Sequence, residues 1–319
     1  MLFELEVPKH YDLLSSVHSW IYPDIQPVPE QTGDKFFARI YEIDKTLVPL
    51  VIYQEQSGQL LRVNYPPSSV SENRLKAVLQ DVLGLKVRMN GAIDKIRQEP
   101  MIANIAPLAS GIQPYLSPTV NEALMKTIIQ QQISYRAANV LTKRMVIQLS
   151  QKMDFNGRIL YAFPESKAIL TCGIDGLRAF GLGYKAEYIN EVNKLVCDGT
   201  LRTEALKGMS FDEISAILKP IRGIGEWTIR TLAIAGLGDY TVFPCDDLGV
   251  RNLMGRLFNV GAERMKTNEV EDFAQSWGKD WPLVLYLLMS ADVLGLFGQQ
   301  GRQQMHKRTQ HIEAKRKTG

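Results

Sequence analysis

The segment ILKPIRGIGEWTIRTLAIAGLGDYTVFPCDDLGVRNLM, residues 217–254, reads as helix, tight turn, helix, loop and the start of another helix. Pro220 and Gly223 close the first helix and turn the chain. Gly223 and Gly225 leave the backbone bare, so a phosphate can approach the N–H groups that open the next helix. Unpaired amides and the helix dipole make such a start an anion site that positions DNA without reading its sequence. A glycine turn between packed helices looks the same, so the turn alone decides nothing. At the far end Asp246 and Asp247 head a helix whose Val250, Leu253, Met254, Leu257 and Phe258 make an apolar face. An Asp there caps the helix, and the same position favours negative charge, as needed by a carboxylate that must stabilise a cation. Within one pair, one Asp can cap while the other faces a cleft.

Upstream, the spacing of Leu124, Ile128 and Ile129 predicts a helix that opens at Thr119 with a capping box to Glu122. The polar run QQQIS, residues 130–134, breaks that periodicity, and a second helix follows with Ala137, Val140, Leu141 and Met145 on one side. Further helices are expected over residues 184–196, 211–218, 226–235, 247–258 and 281–296. The first ninety residues differ. LFELEVP, KFFARIYEID, LVPLVIYQEQ and QLLRVNYP are short β-branched and aromatic segments split by turn residues, which suggests a small antiparallel sheet, followed by a helix over 73–85. The expected fold is therefore α+β: a β-rich domain at 1–88, a larger all-α domain at 89–300 with its hairpin at 217–236 and an acidic loop at 241–249, and a basic tail at 301–319.

With 319 residues and 45% hydrophobic composition the chain suits about two packed domains. No run approaches the roughly 18 apolar residues of a membrane span, and Glu4 and Glu6 stand where a signal peptide would carry basic residues. The expectation is a cytoplasmic protein. Cys172, Cys197 and Cys245 lie far apart without a C-x-x-C pair, so they read as small buried thiols rather than a disulfide or metal set. Net charge is +3, and the last twenty residues alone contribute +5, leaving the rest at −2. The folded body is thus not basic by composition, and the tail reads as solvated chain with a salt-sensitive attraction to phosphates.

Four motifs together resemble the helix-hairpin-helix DNA glycosylases, and within them the inducible 3-methyladenine glycosylase type. They are Q-Q-I-S at 131–134, G-L-x-x-K-A-x-Y-I at 181–189, G-I-G-x-W-T at 223–228 and F-P-x-x-D-L-G at 243–249. They occur in the family's order, and the likeness covers roughly residues 120–296. The resemblance implies that the β-rich segment is similar to one repeat of the TATA-binding protein fold. It implies that the essential carboxylate is Asp247, directly before Leu248-Gly249; some members place the Asp two residues after the Pro, which would select Asp246 instead.

The resemblance further implies a monofunctional enzyme of base excision repair, associated with the nucleoid, that flips alkylated purines such as 3-methyladenine and 7-methylguanine out of double-stranded DNA and hydrolyses the N-glycosidic bond. Gly223, Ile224, Gly225 and Thr228 would hold the DNA, with Gln131 and Gln132 from the polar run. Trp227 would stack on the flipped base. Relatives that also cut the backbone place a Schiff-base Lys where Trp227 stands, so no lyase activity is expected. No cofactor is required; a monovalent cation on the main-chain carbonyls of Lys219, Ile221 and Ile224 is the one ion the family suggests. A monomer without membrane contacts is expected. Rival readings are a glycosylase for oxidised or deaminated bases and a non-catalytic DNA-binding module, which would have no need to present Asp247.

Overall fold

The computed structural model describes residues 1–55, 58–258 and 264–298. The basic tail lies outside the described residues. In chain order the elements are β1 (Leu2–Glu6), α1 (Leu13–His18), β2 (Gln31–Thr32), β3 (Phe36–Ile43), β4 (Thr46–Gln54), β5 (Leu60–Asn64), α2 (Glu72–Val82), α3 (Asn90–Gln98), α4 (Ala106–Ala109), α5 (Val120–Gln130), α6 (Tyr135–Leu149), β6 (Lys152–Phe155), β7 (Arg158–Tyr161), α7 (Ser166–Ala179), α8 (Lys185–Cys197), α9 (Phe211–Leu218), α10 (Glu226–Leu232), a π-helical stretch (Ala233–Leu237), α11 (Leu248–Phe258), α12 (Thr267–Gln275) and α13 (Trp281–Val293). None of the described helices is long and apolar enough to cross a membrane.

Two compact units result, and they do not follow the boundaries expected from the sequence. One joins Met1–Lys86 to Gln113–Asp239; the other joins Val87–Ile112 to the chain from Tyr240 onward. The sheet therefore shares a unit with the central helices, while α3 and α4 belong with α11, α12 and α13.

In the first unit the sheet is antiparallel with strand order β1-β5-β4-β3-β2. Alternation along β3 sends Phe37, Tyr41 and Ile43 to one face, where they pack with Leu75 and Leu79 of α2 and Leu13 and Val17 of α1. Ala38 and Ile40 face the other way, and there Leu160 and Ala162 cover them. Leu160 belongs to a β6–β7 hairpin that corrects the expectation of an all-α second half. Its turn is Asn156-Gly157, both at positive φ (53° and 69°), the dipeptide that type I′ hairpins demand. Each fully buried aliphatic or aromatic residue in these layers contributes roughly 1.5–3 kcal/mol.

Arg39 lies on the same face as Phe37 and is 1% exposed. Its guanidinium donates to Glu30 and to Glu122, each at 2.8 Å, and to Tyr115 Oη at 2.9 Å, while Lys126 Nζ reaches Glu30 at 2.9 Å. Two cations and two carboxylates thus neutralise each other inside the unit, linking the sheet to α5. Glu122 was expected to reach back to its own helix start. Thr119 Oγ1 does accept the Glu122 N–H at 3.2 Å, but the Glu122 side chain turns inward to Arg39; the next amide, Val120 N–H, donates to Glu204 at 2.6 Å.

The helix expected over 226–235 is α-helical to Leu232 and then widens into the π stretch, where Gly236 abuts Ala123 of α5 so closely that a Cβ would stand 2.4 Å from it. In the second unit, Phe258 of α11, Phe273 of α12 and Trp277 form an aromatic triangle, with centroids 4.5 to 6.0 Å apart. Val284, Leu285, Leu287 and Leu288 of α13 are fully buried. Of the cysteines expected to be buried, Cys245 is; Cys172 is half-buried and Cys197 is exposed.

Candidate functional site

In the first unit the structure gathers three of the sequence motifs. Gly223 turns the chain between α9 and α10 at φ +84°, in the left-handed region that favours glycine. A Cβ there would also stand 2.3 Å from the ring of Tyr188 on α8, so two constraints select glycine at this position. Gly225 differs: at φ −105° it is ordinary extended backbone, and a Cβ would meet nothing within 4 Å. It is the N-cap of α10 and provides no side-chain cap to the amides that open that helix.

Among the expected DNA-contacting residues the side chains divide. Gln131 is half-buried and its Nε2 donates to the Gly223 carbonyl at 2.7 Å and to Thr228 Oγ1 at 3.0 Å. It is a strut between the polar run and the hairpin. Thr228 is 2% exposed and Ile224 5%, so their side chains lie within the protein, and Ile224 N–H donates to the Ile221 carbonyl at 3.1 Å. Gln132 is exposed and adopts φ +55°, uncommon for a residue with a side chain. Trp227, on the first turn of α10, is half-buried. Lys219 Nζ closes the hairpin against Glu226 at 2.6 Å, a hydrogen bond that holds the Glu226 carboxyl below its usual range.

Three neighbours on or beside α8 had no role assigned from the sequence, although the G-L-x-x-K-A-x-Y-I motif contains them. Tyr184 is 45% exposed and donates from Oη to Gln132 Oε1 at 2.9 Å. Its ring meets Tyr188 edge-on at 5.6 Å. Lys185 is buried and donates to the Ile129 carbonyl at 2.6 Å; burial pushes its ammonium down to about 8. The motif signalled that something mattered here, but only the folded chain shows which residue each side chain meets. Arg222, exposed on the hairpin, lies over the Tyr188 ring at 5.7 Å and pairs with Glu187 at 3.3 Å.

In the second unit the acidic loop gives the two Asp side chains different surroundings. Asp247 is the cap: its Oδ1 accepts N–H bonds from Gly249 at 2.8 Å and Val250 at 3.1 Å, while its carbonyl accepts from Arg251 at 2.9 Å. Gly249 makes this possible, since a Cβ there would come within 3.0 Å of Oδ1. The carboxylate is half-buried, Asp246 is exposed, and Leu248 beside them is 52% exposed. The cap and the expected catalytic group are therefore the same residue, held in one orientation by two amides. Among the described residues no cluster of His, Cys, Asp and Glu suits a metal ion. The Lys219, Ile221 and Ile224 carbonyls are hard oxygen donors, the type an alkali cation takes, and that of Ile221 already receives one hydrogen bond.

Comparison with known proteins places the chain in a family. The model of the HhH-GPD superfamily of base excision DNA repair proteins matches residues 125–279. A Bacillus subtilis (strain 168) protein named "Putative DNA-3-methyladenine glycosylase YfjP" is 30% identical over 258 residues, which cover 80% of this chain and 81% of that one. A second protein of that organism, a DNA-3-methyladenine glycosylase, is 28% identical over 73% of this chain and 77% of its own length. Among solved structures, the 3-methyladenine DNA-glycosylase from Archaeoglobus fulgidus superposes with a TM-score of 0.81 at 28% identity, covering 91% of this chain and 98% of that one. An 8-oxoguanine glycosylase/lyase from Clostridium acetobutylicum shares the fold at 17% identity and a TM-score of 0.71. The chain belongs to the HhH-GPD superfamily of base excision DNA repair proteins.

Proposed function

We propose that this DNA glycosylase is monofunctional and acts on alkylated purines, 3-methyladenine and 7-methylguanine, in double-stranded DNA of the cytoplasmic nucleoid, as a monomer. The observation that carries the reading is Asp247, a half-buried carboxylate whose Oδ1 is fixed by the Gly249 and Val250 amides. A carboxylate so oriented does not have to reorganise as charge develops, which is the condition for electrostatic stabilisation of a transition state.

The chemistry follows from the lesion. A purine alkylated on a ring nitrogen carries positive charge, stacks better on an aromatic face, and unstacks from damaged DNA at a cost of only a few kcal/mol. Trp227 would supply that face. When the N-glycosidic bond breaks, the bonding pair leaves with the base, which departs neutral, and the sugar carbon takes on oxocarbenium character. Asp247 stabilises that cation and orients or deprotonates the water that adds to it. The backbone at Gly225 and the start of α10 holds a phosphate meanwhile, and Gln132 with Tyr184 fills the space left by the extruded nucleotide. The hairpin carbonyls of Lys219, Ile221 and Ile224 would hold a monovalent cation that steadies this turn.

The support for a hydrolytic rather than lyase route is Trp227 itself, which offers no amine for a Schiff base. Base release from duplexes containing 3-methyladenine or 7-methylguanine, beside duplexes with 8-oxoguanine or hypoxanthine, tests the reading. Release confined to the latter two would overturn it.

A further inference from the structure

Lys185 presents a physical puzzle. It is 4% exposed, and among the described residues it makes no ion pair. Burying a lone ammonium is costly, and proteins retain such groups where they satisfy something specific. What Lys185 satisfies is the Ile129 carbonyl, at 2.6 Å.

That carbonyl lies in the last turn of α5. In a continuing helix it would accept from Ile133 N–H, but Ile133 turns to the Gln130 carbonyl at 3.4 Å and Gln131 N–H to that of Ile128 at 3.3 Å. The helix tightens and ends, leaving the Ile129 oxygen over and directed into the protein. Immediately beyond, Gln131 leaves helical conformation at ψ 130° and Gln132 enters the left-handed region. The residue next to Lys185 is Tyr184, which binds the Gln132 side chain, and one turn along α8 Tyr188 packs under Gly223.

We propose that Lys185 is a positioning residue for base flipping: by occupying the Ile129 carbonyl it ends α5 at Gln130 and holds Gln132 in the conformation from which its side chain fills the gap in the duplex. This rests on the reading of Gln132 as the filling residue. Lys185 itself touches neither DNA nor the reacting atoms.

The test measures flipping separately from folding and binding. The probe is a duplex with 2-aminopurine beside an abasic-site analogue, alongside single-turnover excision and the thermal midpoint. Lys185→Met removes the cost of a buried charge but leaves the Ile129 carbonyl without its donor, two opposing effects that are expected to leave the midpoint little changed. Its affinity for undamaged duplex should be unchanged, while the flipping signal and the single-turnover rate fall by about tenfold. Gln132→Ala should produce the same loss, and the double variant should be no worse than Gln132→Ala alone, because one residue acts through the other.

Lys185→Gln keeps a donor for the carbonyl and is expected to retain most of the flipping; it also serves if the Met variant is not recovered folded, in which case a flipping loss in a folded Gln variant overturns the donor role. Losses that add in the double variant, or a Met variant that loses flipping only as its midpoint drops, would reduce Lys185 to a core residue. If Gln132→Ala flips normally, the filling role of Gln132 fails first; if Gln132→Ala is impaired and Lys185→Met is not, the assignment of Lys185 fails alone.

Discussion

The ring of Tyr188 lies where a Cβ on Gly223 would stand, with the nearest ring carbons 2.3 Å from that position. Gly225, two residues on, has no neighbour within 4 Å of the same point. Two glycines that look alike in the sequence therefore answer to different demands. Gly223→Ala must strain a left-handed residue and displace a ring, and is expected to lower stability by about 1–3 kcal/mol. Gly225→Ala should leave the urea midpoint nearly unchanged and weaken binding to undamaged duplex, since what it crowds is the approach of a phosphate. Equal midpoints for the two variants would contradict this division.

Asp247→Asn keeps a good N-cap side chain, so the fold should persist while excision of 3-methyladenine is lost. Asp247→Ala should lose excision and also about 1 kcal/mol of stability through the missing cap. Asp246→Asn should excise normally. Paired single-turnover rates and unfolding curves check all three, and full activity in Asp247→Asn would remove this residue from the mechanism.

Trp227→Ala should cost more on cationic lesions than on neutral ones, by roughly 0.5–2 kcal/mol, the range of a cation-π contact. Borohydride reduction in the presence of an abasic duplex should trap no covalent adduct with the unaltered protein. A trapped band would mean that a lysine reaches the sugar after all.

Burial lowers the Lys185 pKa from an ordinary 10.5 to about 8. Between those two values the unfolded chain binds a proton that the folded one has shed, so this group makes stability rise with pH across the window. Below about pH 8 both states are protonated and the cost of burying the charge is carried in full. Denaturant unfolding at pH 7.5 and 9.5, compared with Lys185→Met, should show a positive slope that the substitution removes.

Arg39→Met leaves Glu30 and Glu122 buried with Lys126 as the one cation beside them among the described residues. The expected loss is about 3–5 kcal/mol, the range found when one partner of a buried ion pair is deleted. A midpoint within experimental error of the unaltered protein would show that the carboxylates can be neutralised another way.

Much of this was legible beforehand because it is local. Alternation in residues 36–43 gave β3, the spacing of Leu253, Met254 and Leu257 gave α11, and the four motifs gave the family. The misreadings were of another kind. Asn156-Gly157 is as strong a hairpin signal as the chain contains, yet it sits in a half dominated by helical periodicity, and the strands it joins are four residues each. Glu122 fits a capping box by spacing, but its side chain is drawn to Arg39, 83 residues away. Tyr184, Lys185 and Tyr188 occur in a quoted motif, and their partners, Gln132, Ile129 and Gly223, become neighbours only through tertiary packing. Spacing along the chain reports periodicity; it does not report what a side chain will meet across a gap of more than thirty residues.

The charge cluster around Arg39 also bears on how the chain may be shortened. Secondary structure changes character near residue 88, and that point looks like a seam. Cutting there would strip Glu122 and Lys126 of Arg39 and Glu30, and open the start of α5, the helix that delivers Gln131 and Gln132, to water. The sheet is less an accessory module than a retaining wall. A fragment beginning at residue 89 would keep every motif residue named here and lose the support against which they are held.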